Sequence, residues 1–193
     1  MSSTPLHADA VEVLRSWDPS NPHQDALRHA YIAYLLGMPD AMMRSCAPGH
    51  LTASAVVVDP ARRATLLTLH PRVGRWVQLG GHCEPEDVTL QDAALREARE
   101  ESGINELSID PLPLQLHVHP LTCSGGVPTR HLDVRYLVTT PAYADEQISD
   151  ESDDLRWFGF DDLPEGLDAS TVLLIADAVS ELDRRAAADQ MLR

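Results

Sequence analysis

The sequence predicts an α/β protein that begins with a helical extension. Helical spacing of apolar residues dominates the first part of the chain, and short β-rich runs separated by turn residues follow it. A helix with small residues on its packing face lies among those runs. With 193 residues and 44% hydrophobic content, the chain can form one core-bearing domain plus an extension. We place the extension at residues 1–48 and the domain at residues 49–193.

Two helices are predicted in the extension, over residues 7–17 and 23–36. A cluster of Asp, Pro, Ser and Asn separates them, and Gly37 ends the second helix. The extension could cover a sheet edge, shape a binding pocket or form a homodimer contact. The sequence does not choose among these three roles.

Strands are predicted where β-branched and aliphatic residues cluster between turns. They cover residues 50–58, 65–69, 76–79, 112–119, 131–139 and 155–160. A closing helix follows over residues 169–188, and its predicted inward residues are Val172, Ile175, Ala176, Val179 and Leu182.

One predicted strand has a polar face, because alternation places His131, Asp133 and Arg135 on the same side. Such a face either meets solvent or lines a pocket. His117 and His119 share a face of the preceding strand, so a histidine cluster with His131 could form. Their spacing alone does not define a metal site.

The chain is organised around residues 80–104, where a glycine pair and an acidic loop precede a helix that Gly103 ends. Asp87 or Thr89 could cap that helix. Helical geometry places three glutamates, Glu97, Glu100 and Glu101, on the face of the small residues. Like charges four residues apart also cost about 0.2–0.5 kcal/mol. A hard divalent cation bound by the carboxylates would explain their place on the packing face and would offset their mutual repulsion. A solvated acidic helix with Glu–Arg pairs is the alternative.

Charge and cysteine content limit the classes of partner. The net charge of −15 opposes nucleic-acid binding through a basic face, but a bound metal ion would still permit phosphate-bearing small molecules. Three cysteines without a CxxC pair suit a reducing cytoplasm. No apolar run has the ~18–20 residues of a membrane span, and the N-terminus lacks signal-peptide character. We therefore expect a cytoplasmic protein without nucleic-acid or membrane partners.

Residues 81–104 resemble the Nudix box of the Nudix hydrolases. Gly81 matches the leading glycine, and residues 96–104, REAREESGI, match the second half with Ala98 in the aliphatic position. The distance from Gly81 to Arg96 is one residue longer than in the family pattern, so the acidic loop carries an insertion. Either Asp87 or Glu86 therefore replaces the first glutamate of the box.

The C-terminal part also resembles Nudix domains. An acidic loop at residues 145–154 precedes a strand that contains Trp157, and Asp162-Leu163-Pro164 forms an acidic-Leu-Pro corner. The resemblance covers roughly residues 50–185. It implies an α/β/α sandwich with a mixed sheet, in which Mg²⁺, or Mn²⁺ as a substitute, assists hydrolysis of a diphosphate linkage in a nucleoside diphosphate derivative.

The resemblance also implies roles for individual residues. Glu97, Glu100 and Glu101 match the metal ligands of the family, and Gly80 matches its backbone-carbonyl ligand. The predicted catalytic residues are Glu100, Arg96, which steers and pairs with a box carboxylate, and Glu151, a base in the acidic loop. The predicted substrate-binding residues are Arg72, Arg75, His131 and Asp133. Surface ion pairing is the alternative for the two arginines.

Two other functions occur on the fold that the resemblance implies. An isopentenyl-diphosphate isomerase would use a cysteine and a glutamate, and its box normally departs from the hydrolase pattern, whereas Arg96-Glu97 and Glu100-Glu101 are intact here. A nucleotide-sensing Nudix domain without catalysis usually carries a DNA-binding domain, which the acidic C-terminal part does not offer. The sequence does not name the substrate within the nucleotide class.

Overall fold

The computed structural model describes residues 4–19, 21–122, 126–150 and 152–191. Two helices come first, α1 (Pro5–Ser16) and α2 (Pro22–Gly37). The strands are β1 (His50–Asp59), β2 (Ala64–His70), β3 (Arg75–Val77), β4 (Leu79–His82), β5 (Ser108–Ile109), β6 (Gln115–Thr122), β7 (Pro128–Thr139) and β8 (Asp154–Gly159). Helix α3 (Leu90–Ser102) lies between β4 and β5, and helix α4 (Ala169–Met191) closes the fold.

The described strands form one mixed sheet. Its central pair is β1 and β7, which run parallel with His50 opposite His131, while the other neighbours are antiparallel. Strand β4 pairs with β1, β6 pairs with β7, and β8 pairs with β2. Helix α3 covers one face of the sheet and α4 covers the other. The predicted α/β/α sandwich is therefore confirmed.

Alternating residues of β1 divide the interior into two apolar layers. Ala55 and Val57 pack in a cluster with Ala98 of α3. Val56 and Val58 point the other way and pack against α4. At the start of β1, the α4 side of the sheet instead carries polar side chains, because the sequence alternates His50, Thr52 and Ser54 there.

The helical extension packs on the α3 side of the sheet. Leu14 of α1 and Tyr31 of α2 lie in the same buried cluster as Ala93 of α3. Gln24 also bonds both backbone groups of Leu116, donating to its carbonyl (3.1 Å) and accepting from its N–H (2.6 Å). The extension thus supplies hydrogen-bond partners for backbone groups at the edge of β6. Covering a sheet edge is the first of the three roles that the sequence left open.

Several sequence-based boundaries and faces were wrong. The strand predicted at 76–79 is two short strands, β3 and β4, and the strand predicted at 112–119 begins at Gln115. The two-residue strand β5 was not predicted. In α4, Val172 is 42% exposed and Ala176 is also exposed, because the helix turns a neighbouring face inward. The buried residues of α4 are Thr171, Leu174, Ile175 and Ala178. No described helix is long and apolar enough to cross a membrane.

Candidate active site

Helix α3 has a well-defined start and end, and these fix the positions of its glutamates. Thr89 is the N-cap and accepts a hydrogen bond from the Asp92 backbone N–H (2.9 Å). Asp9 of α1 accepts from the Leu90 backbone N–H (2.8 Å), so a second side chain satisfies this helix end. Gly103 ends the helix in the left-handed conformation with φ of 69°. Thr89 is therefore the cap, not Asp87.

Two glutamates of α3 lie against the glycine pair. Glu101 is buried, and its Oε2 accepts a hydrogen bond from the Gly80 backbone N–H (2.8 Å). The Glu97 side chain is 12% exposed, and a Cβ atom at Gly81 would lie 2.7 Å from its Oε1. Gly80 itself has φ of 143° and touches Ser54, which leaves no room for a side chain. Because the two glycines lack side chains, their backbone lies in contact with the carboxylates of Glu97 and Glu101.

This arrangement fits a hard divalent cation. Carboxylate oxygens of Glu97 and Glu101 lie beside the backbone of Gly80 and Gly81, and Mg²⁺ prefers oxygen ligands of this kind. Glu101, which is buried, and Glu97, which is largely buried, would otherwise form an unfavourable like-charge contact on one helix face. The glycine cradle and the donor set therefore support the predicted metal role of these residues, which remains a prediction.

Glu100 differs from the prediction. Its side chain is 60% exposed, although the wheel placed it with the other two glutamates. Its carboxylate accepts from Arg96 Nη1 (3.0 Å). The difference arises because Glu100 lies at the margin of the small-residue face, where the helix surface already meets solvent. Its predicted metal and catalytic roles stay predictions.

Arg96 is enclosed by protein acceptors. Its guanidinium donates through Nε and Nη2 to the two oxygens of Asp87 (3.1 and 3.0 Å), and through Nη2 to the His82 carbonyl (3.0 Å). Its Nη1 donates to Glu97 and to Glu100 (3.0 Å each). Burial opposes its charge, but attraction from Asp87 and Glu97 raises the pKa of Arg96 above its ordinary value. These contacts orient carboxylates and leave no guanidinium N–H directed to a substrate.

The contacts of Asp87 support it, and not Glu86, as the substitute for the first Nudix-box glutamate. It is 9% exposed and forms the two-pronged contact with Arg96, whereas Glu86 is exposed. Its Oδ2 also accepts from the Glu84 backbone N–H (2.7 Å), which closes the acidic loop before the helix. Five residues separate Gly81 from Asp87, so the inserted residue lies between Asp87 and Arg96. Glu97 still lies beside Gly81, and α3 therefore keeps its register against the glycine pair.

The polar face of β7 lies against protein groups. Asp133 is 1% exposed, and its carboxylate accepts from Thr52 (3.0 Å), Ser54 (2.7 Å) and Arg135 (2.8 Å). Burial opposes the charge of Asp133, yet Arg135 and Ser54 lower the pKa of its carboxyl below the ordinary value. Asp133 thus organises a buried polar layer. Its predicted contact with substrate has no support from these interactions and stays a prediction.

A histidine cluster lies at one end of that layer. His131 is surrounded by His50, His82 and His119, with ring-centroid distances of 4.9, 4.9 and 5.2 Å. His117 stacks on His119 at 5.5 Å. The sequence indicated the three histidines of β6 and β7, but it missed His50 and His82. These two join the cluster through pairing of β1 with β7 and β4, which has no local sequence signal.

The remaining predicted site residues are Arg72, Arg75 and Glu151. Arg72 and Arg75 are exposed in and beside the turn before β3. The charge of Arg72 reaches the histidine cluster, where burial first and then Arg44, His50 and Arg72 lower the pKa of His82 to about 4. Substrate binding by either arginine remains a prediction. Glu151, the predicted base, lies outside the described residues.

The chain belongs to the NUDIX domain family, which matches residues 48–177. This membership confirms the predicted assignment to Nudix pyrophosphohydrolases. A NUDIX-family hydrolase from Clostridium perfringens has 25% identity and a TM-score of 0.56, covering 69% of this chain and 97% of that one. An Ap4A hydrolase from C. elegans, at 20% identity and a TM-score of 0.51, shares the fold over 69% of this chain and 97% of its own.

Curated relatives are similar over a shorter region. The m7GpppN-mRNA hydrolase NUDT17 of Bos taurus is 35% identical over 102 residues, which cover 51% of this chain and 33% of the relative. The protein of that name from Danio rerio is 38% identical over 91 residues, covering 45% of this chain and 29% of the relative. The similarity therefore spans about a third of the length of these relatives.

Proposed function

We propose that this chain hydrolyses a diphosphate linkage in a nucleoside diphosphate derivative with the help of Mg²⁺ or Mn²⁺. The observation that carries the proposal is the meeting of two α3 carboxylates with the glycine pair. Glu101 accepts the Gly80 N–H at 2.8 Å, and Glu97 fills the space beside Gly81. Glu97, Glu101 and the Gly80 carbonyl would hold the cation, with Glu100 as a further ligand.

The chain's own residues supply position and charge for this reaction. When bound, the cation would neutralise phosphate oxygens and orient a water for attack on phosphorus. Arg96 holds Glu97 and Glu100 in one arrangement, because a single guanidinium nitrogen donates to both. Asp87 in turn fixes Arg96 from the loop side. The carboxylates are thus oriented before substrate arrives, which favours catalysis by a preorganised site.

The isomerase alternative requires a reactive cysteine, and the cysteine next to the site is poorly suited. Burial first, and then the charge of Asp87, raise the pKa of the Cys83 thiol to about 12. The thiol therefore stays protonated near neutral pH, and the thiolate is the reactive form. Cys83 is partly buried and packs against the hydrophobic cluster that contains Leu14, Tyr31 and Ala93. The hydrolase is the better supported function.

The relatives and the net charge, and not the geometry of the site, indicate the class of substrate. The mammalian and fish relatives named above are m7GpppN-mRNA hydrolases, so a cap-like dinucleoside polyphosphate is one candidate. The net charge of −15 opposes binding of a long RNA, which favours small nucleotides. A panel of nucleotide sugars, ADP-ribose, dinucleoside polyphosphates, coenzyme A, nucleoside triphosphates and a cap analogue, each with Mg²⁺, would identify the substrate from the separated products.

The metal role is tested with Glu97→Gln and Glu101→Gln. Each variant removes a charged ligand, so we expect Mn²⁺ affinity and turnover to fall by about 10–100-fold or more, while circular dichroism stays unchanged. Glu86→Gln is the matched control, because Glu86 is an exposed glutamate of the same loop–helix segment. Near-normal Mn²⁺ binding and turnover in both variants would show that α3 is not the metal site.

The base remains a separate prediction. We propose Glu151, six residues before Trp157, as the group that accepts a proton from the attacking water. A general base contributes typically about 10²–10⁴-fold, so Glu151→Gln should lower turnover on that scale while Mn²⁺ affinity is kept. Asp150 and Glu146 are the alternative bases, and Asp150→Asn and Glu146→Gln test them in the same assay. A fall of less than about threefold for Glu151→Gln would assign the proton transfer elsewhere.

A further inference from the structure

Three histidines from three different strands converge on the α4 side of the sheet. They are His50 of β1, His82 of β4 and His131 of β7, and one ring nitrogen of each lies within 4.8 Å of the other two. The Nε2 atoms of His50 and His82 are 3.1 Å apart. Ligand nitrogens around a tetrahedral Zn²⁺ with Zn–N of about 2.0–2.1 Å are about 3.3 Å apart. One pair already has that spacing, and a small rotation of His131 would complete the set.

A backbone carbonyl orients the His50 ring as in metal-bound histidines. His50 is 1% exposed, and its Nδ1 lies 3.4 Å from the Cys46 carbonyl, so its Nε2 points into the cluster. A backbone carbonyl on the second ring nitrogen is the usual outer contact of a metal-bound histidine. Burial also lowers the pKa of all three imidazoles, to about 4 for His82 and about 3 for His131.

This cluster is separate from the carboxylate site. Successive side chains of a strand point to opposite faces. Gly81 faces Glu97 of α3, whereas His82 is paired with Thr52 and faces the other histidines. The two groups of ligands also differ in chemistry, because carboxylate oxygens suit Mg²⁺ while imidazole nitrogens suit Zn²⁺ and similar transition cations.

We propose that His50, His82 and His131 bind a transition-metal cation of the Zn²⁺ class. The fourth position is open to His119, which adjoins His131, or to water. The bound ion would join β1, β4 and β7 at one point. Through the His82 carbonyl, which accepts from Arg96, the ion would also steady the loop that leads to α3. This inference does not depend on the proposed hydrolase activity.

The test uses the full chain without a histidine tag, freed of metal with a chelator and held in excess Mg²⁺ to occupy oxygen sites. We expect calorimetry with Zn²⁺ to show a single tight site, and Zn²⁺ to raise the melting temperature. Co²⁺ in place of Zn²⁺ should give tetrahedral ligand-field bands without a thiolate charge-transfer band. His131→Ala and His82→Ala should each weaken Zn²⁺ binding by about 100-fold or more.

Two control variants separate this site from other ligands. His29→Ala removes an exposed histidine of α2, whose side chain is 67% exposed, and should leave Zn²⁺ binding unchanged. Glu101→Gln should also leave it unchanged. Absence of a tight site, wild-type Zn²⁺ affinity in both the His131→Ala and His82→Ala variants, or loss of binding in Glu101→Gln would each overturn the proposal. If the alanine variants misfold, X-ray absorption of the Zn²⁺-loaded wild type decides, because a shell without imidazole scattering would overturn it.

Discussion

The contact between Asp87 and Arg96 shows how one residue adapts a family pattern at the residue scale. The loop before α3 is one residue longer than the pattern, and its acidic side chain is one methylene shorter than glutamate. Both oxygens of Asp87 nevertheless reach the guanidinium of Arg96, at 3.1 and 3.0 Å. Asp87 thus holds Arg96 from the loop side, while Nη1 of the same guanidinium donates to Glu97 and Glu100.

Asp87→Ala should destabilise the fold and weaken metal binding together. It leaves a largely buried arginine without its two-pronged partner, so we expect the free energy of unfolding to fall by about 1–3 kcal/mol. Mn²⁺ affinity should also fall, because Arg96 no longer holds Glu97 and Glu100 in place. Urea denaturation and calorimetry measure the two effects. Glu86→Ala is the control, and equal effects of the two variants would contradict the role of Asp87.

At the scale of elements, local chemistry explains what the sequence could predict. Helix α3 was predictable because its cap Thr89, its small-residue face and its stop Gly103 all lie within a few residues of it. The split of β3 from β4, and the gathering of His50 and His82, were not predictable because they depend on pairing between distant strands. Alternation correctly placed His131, Asp133 and Arg135 on one face of β7. Asp133 and Arg135 neither meet solvent nor line a pocket, however, because both are buried and Asp133 accepts hydrogen bonds from Thr52 and Ser54 of β1.

The extension contributes to α3 in a way that the sequence did not indicate. Asp9 of α1 accepts the Leu90 N–H at 2.8 Å, at the positive end of the α3 dipole. Asp9→Ala should therefore lower the free energy of unfolding by about 0.5–2 kcal/mol, as for loss of a cap. Asp9→Asn keeps an acceptor and should lose less, and Glu12→Ala on the exposed face of α1 is the control. Equal unfolding energies for Asp9→Ala and Glu12→Ala would contradict this contribution.

At the scale of the whole molecule, the two faces of the sheet carry different ionisable groups. The α3 side holds carboxylates and one enclosed arginine, whereas the α4 side holds neutral histidines above the Asp133–Arg135 ion pair. Burial and neighbouring histidines lower the pKa of His131 to about 3, against an unfolded value of 6.5. The pKa of Asp133 is also lowered from 3.8, so its contribution to stability is lost only below that pH.

The metal-free protein should therefore lose stability as the pH falls from about 6.5 toward 4. In that range the unfolded chain protonates His82 and His131 while the folded chain does not, and each such proton lowers the unfolding free energy by at most about 1.4 kcal/mol per pH unit. Weaker self-repulsion near the isoelectric point of 4.8 opposes this loss. Self-repulsion is nearly the same in wild type and in His131→Gln, so a comparison of the two proteins removes its effect. The unfolding free energy of the variant should depend less steeply on pH, because it lacks the His131 proton. Urea denaturation in the presence of a chelator at pH 7, 6 and 5 measures it, and parallel curves for the two proteins would contradict a buried neutral His131.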